Sequence, residues 1–301
     1  MKPVVARSPG ERQRWRGRRP AGILDAVHLG GFMEFQVLGS LSIQRDGEDL
    51  VHITGKPRQL LALLLLNEPH RVSTSSLITE LWDNSPPRSA ATTLQTHIFY
   101  LRTEFARKLG VPRDLVAQDL LQTHVGGYRL DLGKASFDLP EFHRLRSLGR
   151  TLLNTGDVLG ASRLLSEALG LWRGPALLDV DHGRLLRAAV AELDQSRLDT
   201  LVLFFGTQLD MGRHREMLSE LARLVVRHPH HEELHAQFMI ALYRSGYRTQ
   251  ALEVFDRLRR NIQDELGIAP SNRISRLWHV MRVADTAAVD AAGGYGNAKA
   301  V

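Results

Sequence analysis

Signals for β-strands are confined to the first half of this chain of 301 residues, and this asymmetry constrains its fold more than any other feature. Before Lys134, short stretches of alternating apolar residues flank three stretches of helical periodicity. After Lys134, apolar residues recur only at helical spacing, and Gly212 and Gly246 stand 34 positions apart in equivalent helix pairs. Since about 34 residues is the period of tetratricopeptide repeats, the sequence predicts a mixed α/β unit followed by an all-α unit of stacked helix pairs.

The strands of the first unit are predicted at its two ends. At the first end, apolar and polar side chains alternate up to a turn at 45–48, and the alternating apolar residues are Phe35, Val37, Leu41 and Ile43. At the second end, residues 120–133 predict a hairpin that turns near 123–124 or near 126–127. Both patterns are short, so small sheets are expected.

Three helices lie between these strands. The helical stretches are 56–69, 73–83 and 89–110. Ser73 or Ser75 is available as the N-cap of the second helix, and Gly110 is placed to end the third. The order is therefore strands, three helices and a hairpin.

The second unit consists of seven predicted helices. Their ranges are 138–155, 157–173, 183–212, 214–228, 231–245, 248–266 and 271–283. When Gly212 is aligned with Gly246, Leu221 falls on Phe255, so the same register repeats. This repetition indicates stacked helix pairs rather than one isolated bundle.

Charge and composition exclude several classes of protein. The net charge of +6 comes from the first twenty residues, which contain seven basic residues and one acidic residue, and we interpret this run as a solvated extension. No Cys is present, which excludes a disulfide framework and fits a reducing cytoplasm. No run of eighteen apolar residues occurs, so no membrane span is expected.

The third predicted helix has an unusual polar face. Its apolar stripe recurs at intervals of three and four and comprises Ala91, Leu94, Ile98, Leu101 and Phe105. The opposite face carries hydroxyls, two aromatic rings and an arginine, namely Thr92, Thr93, Thr96, Phe99, Tyr100, Thr103 and Arg107. Between Arg88 and Arg113, five basic residues stand against Glu104 alone. This pattern favours a helix in the major groove of DNA, although exposed aromatic rings would also suit a helix that docks on protein.

The motifs of both units resemble one family of bacterial regulators. "LWDNSPPRSAATTLQTHIFYLRTEF" followed by "GGYRLDL" is similar to the OmpR-type winged helix. "GPALLDV", "RHPHHEELHAQFMIALYRSG" and "ALEVFDRLRRNIQDELGIAPS" are similar to the bacterial transcriptional activation domain. In this order, over roughly residues 33–283, they resemble the Streptomyces antibiotic regulatory proteins.

The resemblance implies a mainly α fold with two domains. An N-terminal winged helix-turn-helix with small β-sheets is expected at 33–134, and an all-α tetratricopeptide-like activation domain at 135–285. An Arg-rich disordered extension is expected at 1–32 and a disordered tail at 286–301.

The resemblance also implies a function and partners. Such a protein activates the genes of one secondary-metabolite, typically antibiotic, cluster. It binds direct repeats of double-stranded DNA near the promoter, associates with further copies of itself there, and recruits RNA polymerase holoenzyme through the sigma factor and core subunits. No cofactor and no membrane are implied, and the expected location is the cytoplasm, on the nucleoid.

Site residues follow from the same resemblance. The positions expected to meet DNA are Arg88, Thr93, Thr96, His97, Tyr100, Arg102 and Arg107 in or near the third helix, with His124 and Arg129 in the wing. We expect Thr96 and Tyr100 to contact bases and Arg102 and Arg107 to bind phosphates. The chain departs from its relatives at Phe99-Tyr100, where Ser-Arg or Arg-Arg is common. A Tyr or Phe would touch a thymine methyl group or a phosphate instead of guanine, so the base sequence does not follow from the resemblance.

One motif points to different chemistry. Residues His231 to His235 match H-E-x-x-H, in which two histidines bind zinc and Glu232 acts as a base. Pro229 places this motif in the first turn of a helix, and no third histidine follows at the expected spacing. We interpret Glu232 and Glu233 as acidic residues that interact favourably with the positive end of the helix dipole. A zinc hydrolase remains a remote alternative, and a helical-repeat adaptor without specific DNA readout is the nearer one.

Overall fold

The computed structural model describes residues 33–49 and 52–283. The strands are β1 (Met33–Gln36), β2 (Ser42–Arg45), β3 (Glu48–Asp49), β4 (Val72–Ser73), β5 (Leu121–His124), β6 (Gly127–Leu130) and β7 (Ser136–Phe137). The helices are α1 (Gly55–Leu66), α2 (Thr74–Trp82), α3 (Ala90–Leu109), α4 (Arg113–Leu115), α5 (Asp138–Thr155), α6 (Val158–Gly170), α7 (Arg184–Asp210), α8 (Leu218–Arg227), α9 (Glu232–Arg244), α10 (Arg248–Leu266) and α11 (Asn272–Val283). A single π-helical turn at Val116–Leu120 links α4 to β5. The expected disordered segments at 1–32 and 286–301 lie outside the described residues.

The first sheet has the strand order β3–β2–β1–β7. The antiparallel pair β2–β3 turns at Asp46 and Gly47, both with positive φ, as the turn predicted at 45–48 requires. β7 adds to the other edge in parallel, with Phe137 opposite Phe35. Alternate residues of β1, Met33 and Phe35, are buried, so one face of this strand belongs to the core.

The second sheet, β4–β6–β5, lies beside the helix-turn-helix. Gly127 faces β4 so closely that a Cβ atom there would lie 2.2 Å from the carbonyl oxygen of Val72, which only glycine permits. The hydroxyl of Ser73 accepts a 3.0 Å hydrogen bond from the backbone N–H of Ser76, so Ser73 caps α2. Gly110 ends α3 with φ of 68°, as predicted.

The second unit is helical from α5 to α11, and its helix ends follow the predicted ranges closely. Gly212 and Gly246 both have positive φ where a helix ends. The residues that share a register after them, Leu221 and Phe255, are both buried. The mainly α fold with small N-terminal sheets and tetratricopeptide-like helix pairs is thus confirmed. No helix in the described part of the chain is both long and apolar enough to cross a membrane.

Buried apolar residues form two clusters whose limits differ from the predicted domain limits. The first cluster runs from Met33 to Leu193 and the second from Leu198 to Met281. The break therefore falls inside α7, whereas the boundary predicted from sequence falls at 134/135. As a division of the sequence this boundary stays a prediction, but apolar packing continues across it.

Two carboxylates also join the two units. Asp138, the first residue of α5, accepts 2.9 Å hydrogen bonds from the backbone N–H groups of Val37 and Leu38. Burial raises the pKa of Asp138, and these hydrogen bonds oppose the increase. Asp179 accepts a 2.8 Å bond from the backbone N–H of Leu41 and pairs with Arg58. The loop between β1 and β2 is therefore held from the helical unit.

Two expectations are wrong in detail. The sequence predicts no strand after Lys134, yet β7 lies there. The strand was missed because two residues are too few to show the alternation of apolar and polar side chains. The apolar stripe of α3 begins at Ala90, which is buried, rather than at Ala91, which is exposed. In the first turn of a helix, contacts with neighbouring elements decide which residue is buried, so a prediction from periodicity alone can be wrong by one residue.

Candidate nucleic-acid interface

α3 presents one apolar face to the core and one polar face to solvent. Its buried residues are Ala90, Leu94, Ile98, Leu101, Phe105 and Leu109. On the opposite face Phe99 is 53% exposed and Tyr100 is 39% exposed. Adjacent exposed aromatic rings rimmed by polar residues are typical of surfaces that contact a partner. The exposed face of α3 is therefore the first candidate contact surface.

Hydroxyl groups surround these rings. Thr96 donates its hydroxyl hydrogen to the carbonyl of Thr92 at 3.1 Å, and Thr103 donates to the carbonyl of Phe99 at 2.9 Å. Both side chains are exposed, and their oxygen lone pairs remain available as acceptors. Thr93 is half-buried. The face can therefore accept hydrogen bonds from base amino groups as well as make apolar contacts.

Arg102 holds the wing against α3. Its Nε and Nη2 donate to the carbonyl of Leu121 at 2.9 and 2.7 Å, and Nη2 also donates to the hydroxyl of Thr123 at 2.7 Å. Burial lowers the pKa of Arg102. Two of its three nitrogens are thus engaged with β5, and only Nη1 has no hydrogen-bond partner among residues 33–49 and 52–283. The guanidinium positions the wing, and this geometry does not test the phosphate contact expected of Arg102 from the sequence.

The other basic residues of the region differ in their solvent exposure and in whether they form ion pairs. Arg88 is exposed in the loop before α3. Arg107 is exposed and forms a 2.7 Å ion pair with Glu104, one turn earlier. His97 is half-buried, and its pKa is lowered by burial and further by Lys56. A neutral His97 partly beneath the surface suits an apolar contact or a hydrogen bond better than a phosphate.

The wing is the hairpin of β5 and β6, and it turns at Val125-Gly126, one residue before the second of the two predicted places. Val125 at its tip is 94% exposed, and Arg71 donates a hydrogen bond to its carbonyl. His124 is exposed beside Gln122, 3.2 Å away. Arg129 pairs with Asp131, directly after the end of β6, so its charge is partly neutralised.

Three residues of this surface were missed from the sequence. Val125 lies at the wing tip, Arg71 supports that tip, and Arg113 lies over the ring of Phe99 with its Cζ 4.3 Å from the ring centroid. An apolar residue directly before Gly-Gly in a hairpin was a usable signal for Val125. Nothing local marks Arg71, because its partner is distant in the chain, and Arg113 was counted among the basic residues of this region without a contact being assigned to it.

The H-E-x-x-H segment has a structural role. The ring nitrogen Nδ1 of His231 accepts the backbone N–H of Leu234 at 3.3 Å and so caps α9. His235 is 2% exposed and contacts the carbonyl of His231 through Nδ1 at 3.0 Å. Glu232 accepts the backbone N–H of Ser271 at 2.8 Å, which links α9 to the start of α11. In the described ranges no three His, Asp or Glu side chains are grouped to hold a metal ion.

Comparison with known proteins agrees with this architecture. Residues 47–130 match the family described as "Transcriptional regulatory protein, C terminal", and residues 137–282 match "Bacterial transcriptional activator domain". The chain is 43% identical over 253 residues to the regulatory protein DnrI of Streptomyces peucetius, covering 84% of this chain and 93% of DnrI. It is 33% identical over 249 residues to the transcriptional regulator RedD of Streptomyces coelicolor, covering 83% of this chain and 70% of RedD.

A solved structure shares the fold as well. Mycobacterium tuberculosis EmbR, determined in complex with a low-affinity phosphopeptide, superposes with a TM-score of 0.78 at 27% identity, covering 88% of this chain and 68% of EmbR. A winged helix followed by a bacterial transcriptional activator domain defines a transcriptional regulator. The chain belongs to the family of Streptomyces antibiotic regulatory proteins.

Proposed function

We propose that this regulator binds direct repeats of double-stranded DNA in the promoter region of one antibiotic gene cluster and activates transcription of the genes in that cluster. The exposed face of α3 carries the proposal: hydroxyls, two aromatic rings and few acidic groups on a helix of twenty residues. Such a helix fits the major groove, where hydroxyls and rings meet base edges and thymine methyl groups. The wing beside it, tied through Arg102, reaches toward the adjacent backbone or minor groove.

The contacts proposed for each residue follow their exposure. Thr96 and Tyr100 contact bases, with Thr93 and His97 at the margin. Arg88, Arg107, His124 and Arg129 contact the DNA backbone. Antibiotic regulation is supported by the similarity to DnrI and RedD.

Footprinting across the promoters beside the gene, combined with a salt titration of affinity, tests this proposal. We expect protection of two or more equally spaced repeats and an affinity that falls steeply with salt. Equal affinity for the promoter and for a random fragment of the same length would contradict specific readout. Absence of any DNA binding would favour the helical-repeat adaptor.

Head-to-tail association on the repeats is part of the proposal. Direct repeats place copies in the same orientation, so the contact between neighbours is heterologous and can be weak without DNA. Sedimentation is expected to show a monomer alone and a multimer on a fragment with two repeats. A stable two-fold dimer in the absence of DNA would contradict this arrangement.

Residues 135–283 supply the surface that recruits RNA polymerase through the sigma factor and core subunits. Stacked helix pairs build extended surfaces suited to protein partners. The test compares the full chain with a fragment of residues 33–193, which keeps the first buried cluster whole. We expect this fragment to bind the repeats without stimulating transcription in vitro. Full stimulation by the fragment would show that residues 194–283 are not needed to recruit polymerase.

A further inference from the structure

A cavity of about 470 Å³ opens between α6, α7 and α8, away from the DNA-binding face. Its apolar wall is built from Leu169, Pro175, Leu198, Leu201, Phe204 and Leu224. A volume of this size falls within the range of roughly 300–1,000 Å³ that holds small molecules. Its mixture of an apolar wall with a few charged groups is also typical of such sites.

Arg197 is the charged group most withdrawn from solvent in this cavity. Its Cζ lies 4.8 Å from the centroid of the Trp172 ring, and its Nη1 donates to the carbonyl of Gly174 at 3.2 Å. Burial lowers the pKa of Arg197, which means that its positive charge is poorly solvated there. A guanidinium held in place by an aromatic ring and a backbone carbonyl is positioned in advance for a contact with an anion.

The side chains that line the cavity carry an excess of one positive charge. Arg223 and Arg227 line the cavity beside Arg197, and none of the three forms an ion pair with another described residue. Asp194 and Glu220 also line it. Three guanidiniums against two carboxylates leave one positive charge in excess, so a ligand with a single negative charge is matched better than a dianion.

The cavity also lies where the two buried clusters separate. Leu193, the last residue of the first cluster, and Leu198, the first of the second, flank Arg197 on α7. The apolar wall takes residues from α6 on one side of this break and from α8 on the other. A bound molecule would therefore touch both halves of the helical unit.

We propose that this cavity binds a small amphipathic monoanion, an apolar body with one carboxylate or sulfonate, whose anionic group contacts Arg197 and whose apolar part packs on Leu201 and Phe204. The site is separate from the DNA-binding face, and its existence does not depend on the function proposed for that face.

Titration of the full chain with 8-anilinonaphthalene-1-sulfonate tests the site, because this probe combines an aromatic body with one sulfonate and fluoresces when bound. We expect saturable binding of one probe per chain. Decanoate should displace the probe, and decanol, with the same apolar chain and no charge, should displace it about tenfold less effectively, the loss of one charge-assisted contact. Absence of saturable binding, or equal displacement by decanol, would overturn the proposal.

Variants locate the bound probe. Arg197→Met and Arg227→Met should each weaken binding of the probe and of decanoate, the first by about tenfold. Arg150→Met, an exposed position on α5 outside the cavity lining, is the matched control and should bind as the natural chain does. Arg227 is exposed, so its variant remains informative if Arg197→Met fails to fold. Unchanged binding of the probe by Arg227→Met, or by Arg197→Met where that variant folds, would place the probe elsewhere and refute the site.

Discussion

The carboxylate of Glu80 accepts a 2.7 Å hydrogen bond from the backbone N–H of Gly183, which joins α2 of the winged helix to the start of α7. Glu80 is 2% exposed, and it also accepts the N–H groups of Leu185 and Leu186 at 2.8 and 3.0 Å. These are N–H groups that no carbonyl within α7 can reach. A side chain from one unit therefore caps a helix of the other, and the two units share their stability.

Gly183→Ala is expected to destabilise the whole chain. A Cβ atom at this position would lie 2.1 Å from the backbone oxygen of Glu80, which cannot move away as a flexible side chain could. Overpacking of this kind costs about 1–3 kcal/mol of unfolding free energy, measured by urea denaturation. Gly170→Ala is the control, since a Cβ atom there meets nothing within 4 Å. Equal stability of the two variants would contradict the close contact.

Arg102 and Arg107 should differ when each is changed to Gln. Arg102→Gln loses hydrogen bonds to Leu121 and Thr123, so we expect a stability loss of about 1–2 kcal/mol. Its effect on DNA comes through a loosened wing, and the salt dependence should stay nearly unchanged. Arg107→Gln should leave stability intact and lower the slope of log affinity against log salt by about one unit. A full unit of slope lost in Arg102→Gln would assign it a phosphate instead.

Tyr100→Ala should relax base preference at one position of the repeat. In the proposed function the exposed ring contacts base edges, and we expect this contact to be worth about 1–3 kcal/mol of discrimination. Affinities for the natural repeat and for single-base variants, measured side by side, give this number. Thr103→Ala, on the same face, serves as the comparison. Equal losses on the natural repeat and on random DNA would remove Tyr100 from base readout.

The histidine cap of α9 predicts a rescue. His231→Ala should cost about 1 kcal/mol of stability, because the N–H of Leu234 loses its acceptor, while His231→Asn should restore most of it. Incubation with a chelator should leave the melting temperature of the natural chain unchanged. A zinc-dependent melting temperature that disappears in both variants would mean that the histidines bind metal.

His235 should make stability fall in mild acid. Burial lowers its pKa below the ordinary 6.5, so the folded chain binds this proton less readily than the unfolded chain. Its contribution is full above about pH 6.5 and is lost as the pH falls through that value toward the folded-state pKa. His235→Leu should therefore show a flatter decline between about pH 7 and pH 5. Three other histidines also have lowered pKa values: His97, His143 and His228. They contribute equally to the pH dependence of stability of the natural chain and of His235→Leu.

The burial of His235 also changes an expectation about the H-E-x-x-H segment. From the sequence this segment lies in the first turn of a helix, and nothing there indicates that either histidine is enclosed. His231 fits a turn, but His235 is enclosed, so its replacement leaves a gap or an unpaired group. One helical turn separates a half-buried residue from a buried one here, and periodicity could not resolve which face the next helix covers.

The sequence by itself determined the helices, the glycines that end them, the repeat register and the family, because each of these depends on residues close together in the chain. The unusual face of α3 was also visible, since one helix carries all of it. Only the tertiary structure decided which groups that face can use. Arg102 is engaged by β5, 19 residues away, and β7 completes a sheet begun about a hundred residues earlier. Likewise Glu80 meets Gly183 across 103 positions. Such contacts arise from packing of the whole chain, and no local pattern of residue types records them.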